Sequence, residues 1–298
     1  MSTTEHGNVP AGGNTVAGGW GVTRSVGLTA LAVAAARAAE AERPDALATD
    51  RFAAGFVRAA EPAAPLTSAG GLAWDALVDM MAIRTRVLDD LMLAAAGAGI
   101  RQVVVPAAGL DARAYRLPWP SGVTVHEIDQ AEVLSFKQHV LDAAGAVPHG
   151  RYRPVACDLR EDWPTALRDS GFDPAAPTAW LVEGLLPYLP PDAEADLFAR
   201  ITELSAPGSR IAVETLDQAA ADGWIHSSAV RELGAATGCD LAELWDTRRR
   251  PAAVDVLRGH GWRARGRGIG DLGAELGRVP SGPAAGMVTH AAIVDAER

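Results

Sequence analysis

The spacing of apolar residues divides the chain into a helical part and a part in which strands and helices alternate. Up to about residue 99, apolar residues recur at three- and four-residue steps, which is typical of amphipathic helices, and no clear strand is present. Three helices are predicted there: one from near Thr23 to before Pro44, one over Asp45–Ala60, and one over Leu72–Ala96.

From Arg101 onward, short apolar runs alternate with helical patterns. The predicted strands are Val103–Ala107, Thr124–Ile128, Tyr152–Cys157, Thr178–Val182, Arg210–Thr215, Trp262–Arg267 and Met287–Val294. The predicted helices are Ala131–Ala144, Trp163–Ser170, Asp192–Leu204, and Leu241–Arg258 with an interruption at Pro251. Strands separated by helices of this length predict an α/β fold, with a mostly parallel seven-stranded sheet and helices on both faces. An antiparallel final strand is one ending that this pattern allows.

These patterns predict three regions. Residues 1–22 are rich in Gly, Asn and Thr and are expected to form a disordered tail. Residues 23–99 form a helical region, which we expect to act as a lid that excludes water from an open crevice. Residues 100–298 form the α/β core.

Composition and charge exclude several classes of protein. The net charge of −10 argues against a nucleic-acid-binding surface, which needs a basic face. The two cysteines, Cys157 and Cys239, are far apart and lack C-x-x-C spacing, so they predict neither a disulfide framework nor a metal site and suit a reducing cytoplasm. No signal peptide and no bilayer-spanning apolar run is recognisable. We therefore expect a cytoplasmic protein with no membrane partner.

The stretch from Arg101 to Gln130 carries the first candidate binding residues. A buried strand is followed by a turn containing Gly109, and the next strand ends at Asp129. Their separation of about 20 residues is typical of a turn that approaches a nucleotide-like ligand and an acid that binds its ribose hydroxyls. A carboxylate suits that task because it only accepts hydrogen bonds. The alternative interpretation is an ordinary strand–turn–strand unit with a solvated Asp129.

The ends of the next strands add further acids. Ligands of open α/β sheets bind at the carboxyl ends of the strands, so Asp129, Asp158 and Glu183 are expected to converge on one crevice. Asp158 is suited to accept from the exocyclic amine of an adenine, while the adjacent Leu159 covers the ring. The alternative role for Asp158 is to cap the turn that follows it.

The turn itself discriminates between cofactors. It lacks the full G-x-G-x-x-G pattern, since Ala107 and Ala108 precede Gly109, and Asp111 occupies the place where a phosphate would lie. An acidic turn favours a ligand with an amino group or a positive charge, such as S-adenosylmethionine. Two alternatives stay open: a nicotinamide-dependent oxidoreductase, and a catalytically silent cofactor-binding protein.

Four segments together resemble a known family: AAGLDARAYRLPWP, HEIDQAEVLSFK, CDLREDWP and LVEGLLPYLP. They are similar to the actinobacterial branch of the leucine carboxyl methyltransferase-like family, and AIRTRVLDD upstream resembles its N-terminal helical part. The resemblance covers the chain from about Thr23 onward. It implies a Rossmann-like fold, S-adenosylmethionine as cofactor, and O-methylation of a carboxylate or hydroxyl on a small molecule or peptide by in-line displacement.

The resemblance also implies roles for individual residues. Arg84 matches the arginine that holds the cofactor's carboxylate; its alternative role is a helix-surface salt bridge to Asp89 or Asp90. Ala107 stands where eukaryotic members tend to have glycine. The implied cofactor-binding set is Arg84, Ala107, Gly109, Asp129, Asp158, Leu159 and Glu183.

The acceptor side is less defined by the sequence. Tyr188, Trp224 and His226 are candidate substrate contacts. The alternative for Tyr188 is a tyrosine packed in the core, and the alternative for Trp224 and His226 is a surface loop. His126 lies within a predicted strand and is expected to be packed. No residue is assigned as a catalytic base. A carboxylate acceptor is already an anion at neutral pH and needs none, whereas a phenol or alcohol would be helped by a histidine or acid near the crevice, and no histidine is placed there by its position in the sequence.

Overall fold

A computed structural model describes residues 26–60, 72–217, 223, 225–237, 240–280 and 290–298. Its centre is a seven-stranded sheet in the order β3-β2-β1-β4-β5-β7-β6, in which β7 is antiparallel to both neighbours and the pairings among β1–β5 are parallel. The strands are β1 (Gln102–Pro106), β2 (Thr124–Asp129), β3 (Arg151–Ala156), β4 (Thr178–Val182), β5 (Arg210–Leu216), β6 (Arg263–Gly268) and β7 (Ala291–Glu297). The predicted Rossmann-like sheet is confirmed, and most strand ends shift by one residue.

The helices before the sheet differ from prediction at one point. They are α1 (Val26–Ala41), α2 (Ala53–Ala60) and α3 (Leu72–Gly97). The prediction that the second helix begins at Asp45 is wrong, because side chains draw the intervening backbone into turns. The amide of Leu47 donates to Glu40 Oε1, and that of Phe52 donates to Asp50 Oδ1. The predicted tail, residues 1–22, lies outside the described residues.

The later helices are α4 (Arg113–Arg116), α5 (Ala131–Ala143), α6 (Trp163–Asp169), α7 (Pro191–Glu203), α8 (Ser228–Thr237), α9 (Leu241–Leu244), α10 (Ala253–Gly259) and α11 (Ile269–Glu275), with a 3₁₀ turn at Leu186–Tyr188. The short α4, α8 and the C-terminal α11 were not predicted. The predicted helix Leu241–Arg258 is wrong over its middle, where residues 245–252 are irregular. There Arg250 is buried and donates to backbone carbonyls of the 3₁₀ turn and its flank, which holds the segment away from helical geometry.

Helices cover both faces of the sheet, and strand alternation builds two cores. On β1, Val103 and Val105 pack with α1, α2, α3 and α5, while Val104 joins Trp163 of α6 and Phe198 of α7 on the other face. The period of two in a strand explains this division, because successive side chains point to opposite faces. The order reverses between β1 and β4, so their carboxyl ends open a crevice.

None of the helices within the described ranges combines the length and the apolar content that a bilayer span requires.

Candidate active site

A cavity of about 580 Å³ lies at the carboxyl ends of the parallel strands. Its walls come from α1, α3, the loops that follow β1 to β4, and the end of β5. It brings together eight of the predicted site residues: Arg84, Ala107, Gly109, Asp129, Asp158, Leu159, Glu183 and Tyr188. The side chain of His226 is exposed and is not part of this wall, whereas Trp224 lies outside the described residues.

The turn after β1 is joined to the end of β2. The amide of Gly109 donates to Asp129 Oδ2 at 2.6 Å, and the amide of Gln130 donates to Oδ1 at 2.7 Å. Burial raises the pKa of Asp129, and these two amides act in the opposite direction. Each carboxylate oxygen retains a further acceptor site, which a ribose hydroxyl can use.

The same turn contains a backbone conformation that usually requires glycine. Gly109 has a φ of +50°, which glycine tolerates, but Ala107 has a φ of +51°. The left-handed region is unfavourable for an alanine, and such residues concentrate at functional sites.

Asp158 both caps a turn and lines the cavity. Its Oδ1 accepts from the backbone amide of Arg160 at 2.9 Å, so it does cap the turn after β3. Its Oδ2 accepts from Gln130 Nε2 at 3.0 Å, and the residue lines the cavity beside Leu159. The Arg160 side chain is the main cause that lowers the pKa of Asp158, so this carboxylate is ionised at neutral pH.

Arg84 is buried and faces acids at the ends of two strands. Its Nη1 donates to both oxygens of Glu214 at 2.9 Å, and its Nε lies 2.9 Å from Glu183 Oε1. The alternative role, a surface salt bridge to Asp89 or Asp90, is therefore wrong. Asp89 instead binds two other arginines, Arg113 and Arg116, and Asp90 pairs with Arg86.

Glu183 links Arg84 to a second buried arginine. Its Oε2 accepts from Arg113 Nη1 at 2.6 Å, and Arg113 also binds Asp111 and Asp89. Burial opposes ionisation of Asp111, but Arg113 and Arg116 outweigh it and hold the pKa of Asp111 at about 2. The charge of Asp111 is therefore compensated by these arginines, so the acidity of the turn by itself does not decide which ligand binds there.

Two buried polar atoms at the cavity lie close together without forming a hydrogen bond, and a ligand can supply a hydrogen-bond partner to each. Glu183 Oε1 and Arg84 Nε are close, but neither is aligned for a hydrogen bond, and both atoms are buried. Both residues line the cavity. A zwitterionic amino-acid group fits here, because its ammonium would bind a carboxylate and its carboxylate a guanidinium.

The wall that α3 contributes to the cavity beside Arg84 is apolar. Leu77, Met80 and Met81 lie on the same face of α3 as Arg84, at the i, i+3/i+4 and i+7 spacing of one helical stripe. Leu216 and Trp245 add further apolar surface to the lining of the cavity. Tyr188, in the 3₁₀ turn, is only partly buried and lines the cavity, so the core alternative for Tyr188 is wrong.

Sequence reasoning missed several residues at or beside the site, among them Glu214, Arg113 and Trp245. The rule used for the other acids could have identified Glu214, because Glu214 lies near the carboxyl end of the fifth strand. Arg113 and Trp245 had no comparable signal. Arg113 does not line the cavity itself but binds Glu183 and Asp111 from the unpredicted α4, and Trp245 lies in the segment predicted to be helical.

Comparison with known proteins agrees with this geometry. A family model described as leucine carboxyl methyltransferase matches residues 30–202, more than half of the chain. A relative from Saccharopolyspora erythraea is 45% identical over 94% of this chain and 98% of its own length. One from Rhodococcus jostii is 49% identical over 89% of this chain and 92% of its own. Both carry the name S-adenosyl-L-methionine-dependent methyltransferase.

A solved structure supports the fold. A DUF574 family protein from Streptomyces avermitilis superposes with a TM-score of 0.52 at 16% identity, over 89% of this chain and 96% of that one. The family match and the relatives together establish both the family and the cofactor. The chain belongs to the leucine carboxyl methyltransferase family and is an S-adenosyl-L-methionine-dependent methyltransferase.

Proposed function

We propose that the enzyme methylates oxygen, and that its acceptor is a carboxylate attached to an apolar small molecule or peptide. The observation that carries this proposal is the apolar lining of the cavity, which includes Leu77, Met80 and Met81 on the same helix face as Arg84, together with Leu216 and Trp245. An apolar wall favours an acceptor with a hydrocarbon body. The name of the matching family model, which describes carboxyl methylation, supports the same class of acceptor.

The state of the cavity acids supports a carboxylate over a hydroxyl acceptor. Glu183, Glu214 and Asp111 are paired with arginines, and Asp158 is paired with Arg160. A hydroxyl acceptor needs a base to take its proton, and acids held by cations are weak bases. No histidine is among the described residues that line the cavity. A carboxylate avoids this requirement because it is already ionised.

The cofactor is proposed to lie along the strand ends. Arg84 would bind its carboxylate and Glu183 its ammonium, while Asp129 would accept from the ribose hydroxyls. Asp158 and Leu159 would lie beside the adenine, and Ala107 and Gly109 would form the turn beneath the amino-acid part. Support comes from the contiguity of these residues in one cavity and from the unaligned pair Arg84 Nε and Glu183 Oε1.

S-adenosylmethionine supplies a methyl group on a positively charged sulfur, which is already a strong electrophile. The chain's own contribution is to align the acceptor and to keep water away. Placement of this kind can lower a barrier by up to about 7–11 kcal/mol. We accordingly assign no catalytic base.

The helical region before the sheet is proposed to act as a lid. Residues Gly27, Thr29, Ala30, Val33 and Arg37 of α1 line the cavity, so this helix covers part of the crevice. Tyr188 is proposed to contact the acceptor from the opposite side. A reducing, cytoplasmic setting remains our expectation for the protein.

The test is a methyl-transfer screen with isotopically labelled cofactor. Apolar carboxylic acids and C-terminal peptides are compared with alcohols and phenols of the same carbon skeleton. Methyl esters release labelled methanol in mild alkali, whereas methyl ethers do not. Alkali-labile product from the acids alone supports the proposal. Alkali-stable product from the hydroxyl compounds would contradict it.

A further inference from the structure

Glu214 is a buried acid at the cavity. It is not among the site residues that the family resemblance implies. It lies near the end of β5, is 7% exposed, and lines the cavity. It accepts from Arg84 Nη1 through both oxygens at 2.9 Å and from the amide of Gly184 through Oε2 at 2.8 Å. One carboxylate therefore joins helix α3 to the loop after β4.

The bonds to Arg84 leave a defined part of its guanidinium available. Of its five N–H groups, the two on Nη1 are directed at Glu214, and the one on Nε faces Glu183. The two on Nη2 have no acceptor within the described part of the chain. Burial alone would lower the pKa of Arg84, but Glu214 and Glu183 raise it, so the group stays charged.

The bond to Gly184 acts on the neighbouring acid. Gly184 has a φ of +63°, in a turn that directly follows Glu183. By accepting from the Gly184 amide, Glu214 fixes the orientation of the peptide that follows Glu183. The two groups suited to a zwitterionic amino acid, Arg84 and Glu183, are thus both oriented through Glu214.

We propose that Glu214 is a positioning residue for the methionine end of the cofactor, acting through Arg84 and Gly184 rather than on the adenosine end. This rests on the proposed placement of the cofactor. Without the charge of Glu214, Glu183 alone attracts the guanidinium of Arg84. The two would then close the hydrogen bond that they lack at present, and both groups would be occupied.

Two adenosine compounds separate the two ends of the cofactor. S-adenosylhomocysteine carries the amino-acid group, and 5′-methylthioadenosine lacks it. We expect Glu214→Gln to weaken the binding of S-adenosylhomocysteine, measured by calorimetric titration, by about tenfold or more, since hydrogen bonds to charged groups are involved. Binding of 5′-methylthioadenosine should change less than about twofold, within ordinary scatter for a distant site.

A matched control is Glu40→Gln, another buried acid that pairs with arginines, Arg43 and Arg278, but does not line the cavity. It should lower thermal stability without changing the ratio of the two affinities. Should Glu214→Gln not fold, Glu214→Asp provides the same comparison, because the shorter side chain withdraws the carboxylate from Arg84.

Three results would overturn the inference: equal weakening of both ligands, unchanged binding of both, or tighter binding of S-adenosylhomocysteine. The last would mean that Glu214 competes with the cofactor for Arg84. The wild-type protein tests the cofactor placement separately. If it does not prefer S-adenosylhomocysteine to 5′-methylthioadenosine, the assignment of Arg84 and Glu183 to the methionine end fails, whatever Glu214 does.

Discussion

The backbone amide of Gly109 donates to Asp129 Oδ2 at 2.6 Å, across 20 positions of the chain. This bond connects the turn after β1 to the end of β2, and Gln130 supplies a second amide to the same carboxylate. Asp129 is therefore oriented before any ligand binds, with its remaining acceptor capacity directed by two fixed bonds.

Asp129→Asn tests the ribose assignment. An amide in place of the carboxylate loses one acceptor and presents N–H groups to backbone donors, so affinity should fall by about 1–3 kcal/mol. Because the ribose is common to S-adenosylhomocysteine and 5′-methylthioadenosine, the affinities for both ligands should fall together in calorimetric titration. An exposed acid of α5 provides a control, Asp142→Asn, which should change neither affinity. Unchanged affinity in folded Asp129→Asn would disprove the assignment.

Ala107→Gly should stabilise the fold. An L-residue in the left-handed region costs about 1–2 kcal/mol, and the greater freedom of glycine in the unfolded chain offsets part of the gain, so about 0.5–1 kcal/mol should remain. The neighbouring Ala108 has no positive φ and is buried, so Ala108→Gly should lose about 1 kcal/mol instead. Urea denaturation measures both; a loss of stability in Ala107→Gly would show that the methyl contributes more packing than strain.

His126 should make stability depend on pH. Its Nδ1 lies 2.8 Å from Ser170 Oγ, whose own hydroxyl donates to Leu167 O, so Nδ1 carries the proton. Nε2 is buried and has no hydrogen-bond partner among the residues that the structure describes. Burial, aided by the charge of Arg153, therefore lowers the pKa of His126 from 6.5 to about 4.

The sign follows from where the proton binds. Between pH 6.5 and 4 the unfolded chain binds a proton that the folded protein does not, so the contribution of His126 is present above pH 6.5 and is lost as pH falls. The loss should total about 3 kcal/mol. His126→Gln should have a shallower decline in unfolding free energy over this range. A decline parallel to the wild type would rule out His126 as its source.

Arg250→Lys should loosen the cavity wall that carries Trp245 and Tyr188. Arg250 donates to Glu194 Oε2 at 2.7 Å and to the carbonyl of Leu189 at 2.8 Å, which a single ammonium cannot reproduce in the same geometry. A cost of about 1–3 kcal/mol is expected for the groups left unpaired.

Hydrogen exchange provides a local measurement for this variant. The amide of Asp246 donates to Pro187 O at 2.7 Å and should exchange faster in Arg250→Lys. Arg249→Lys is the control, since Arg249 is an exposed arginine in the same segment. Equal exchange rates in the two variants would argue against Arg250 as the anchor.

Local sequence patterns predicted most of the helices and strands, because the formation of these elements depends on the periodicity of neighbouring residues. β4 was predicted with its observed bounds, and α3 with an end one residue early. Failures occurred where long-range contacts override local preference. The start of α2 is decided by the Glu40 and Asp50 side chains, and the irregular segment 245–252 by the contacts of Arg250.

The sequence by itself determined which elements form and that acids follow the parallel strands, since both properties depend on residues close in the chain. Only the tertiary structure decided how those acids are paired. Arg84 and Glu214 are 130 positions apart, and Arg113 reaches Glu183 across 70. Long arginine side chains can reach several strand ends, so sequence spacing favours no single partner. Burial then selects the pairing in which the most charges are compensated.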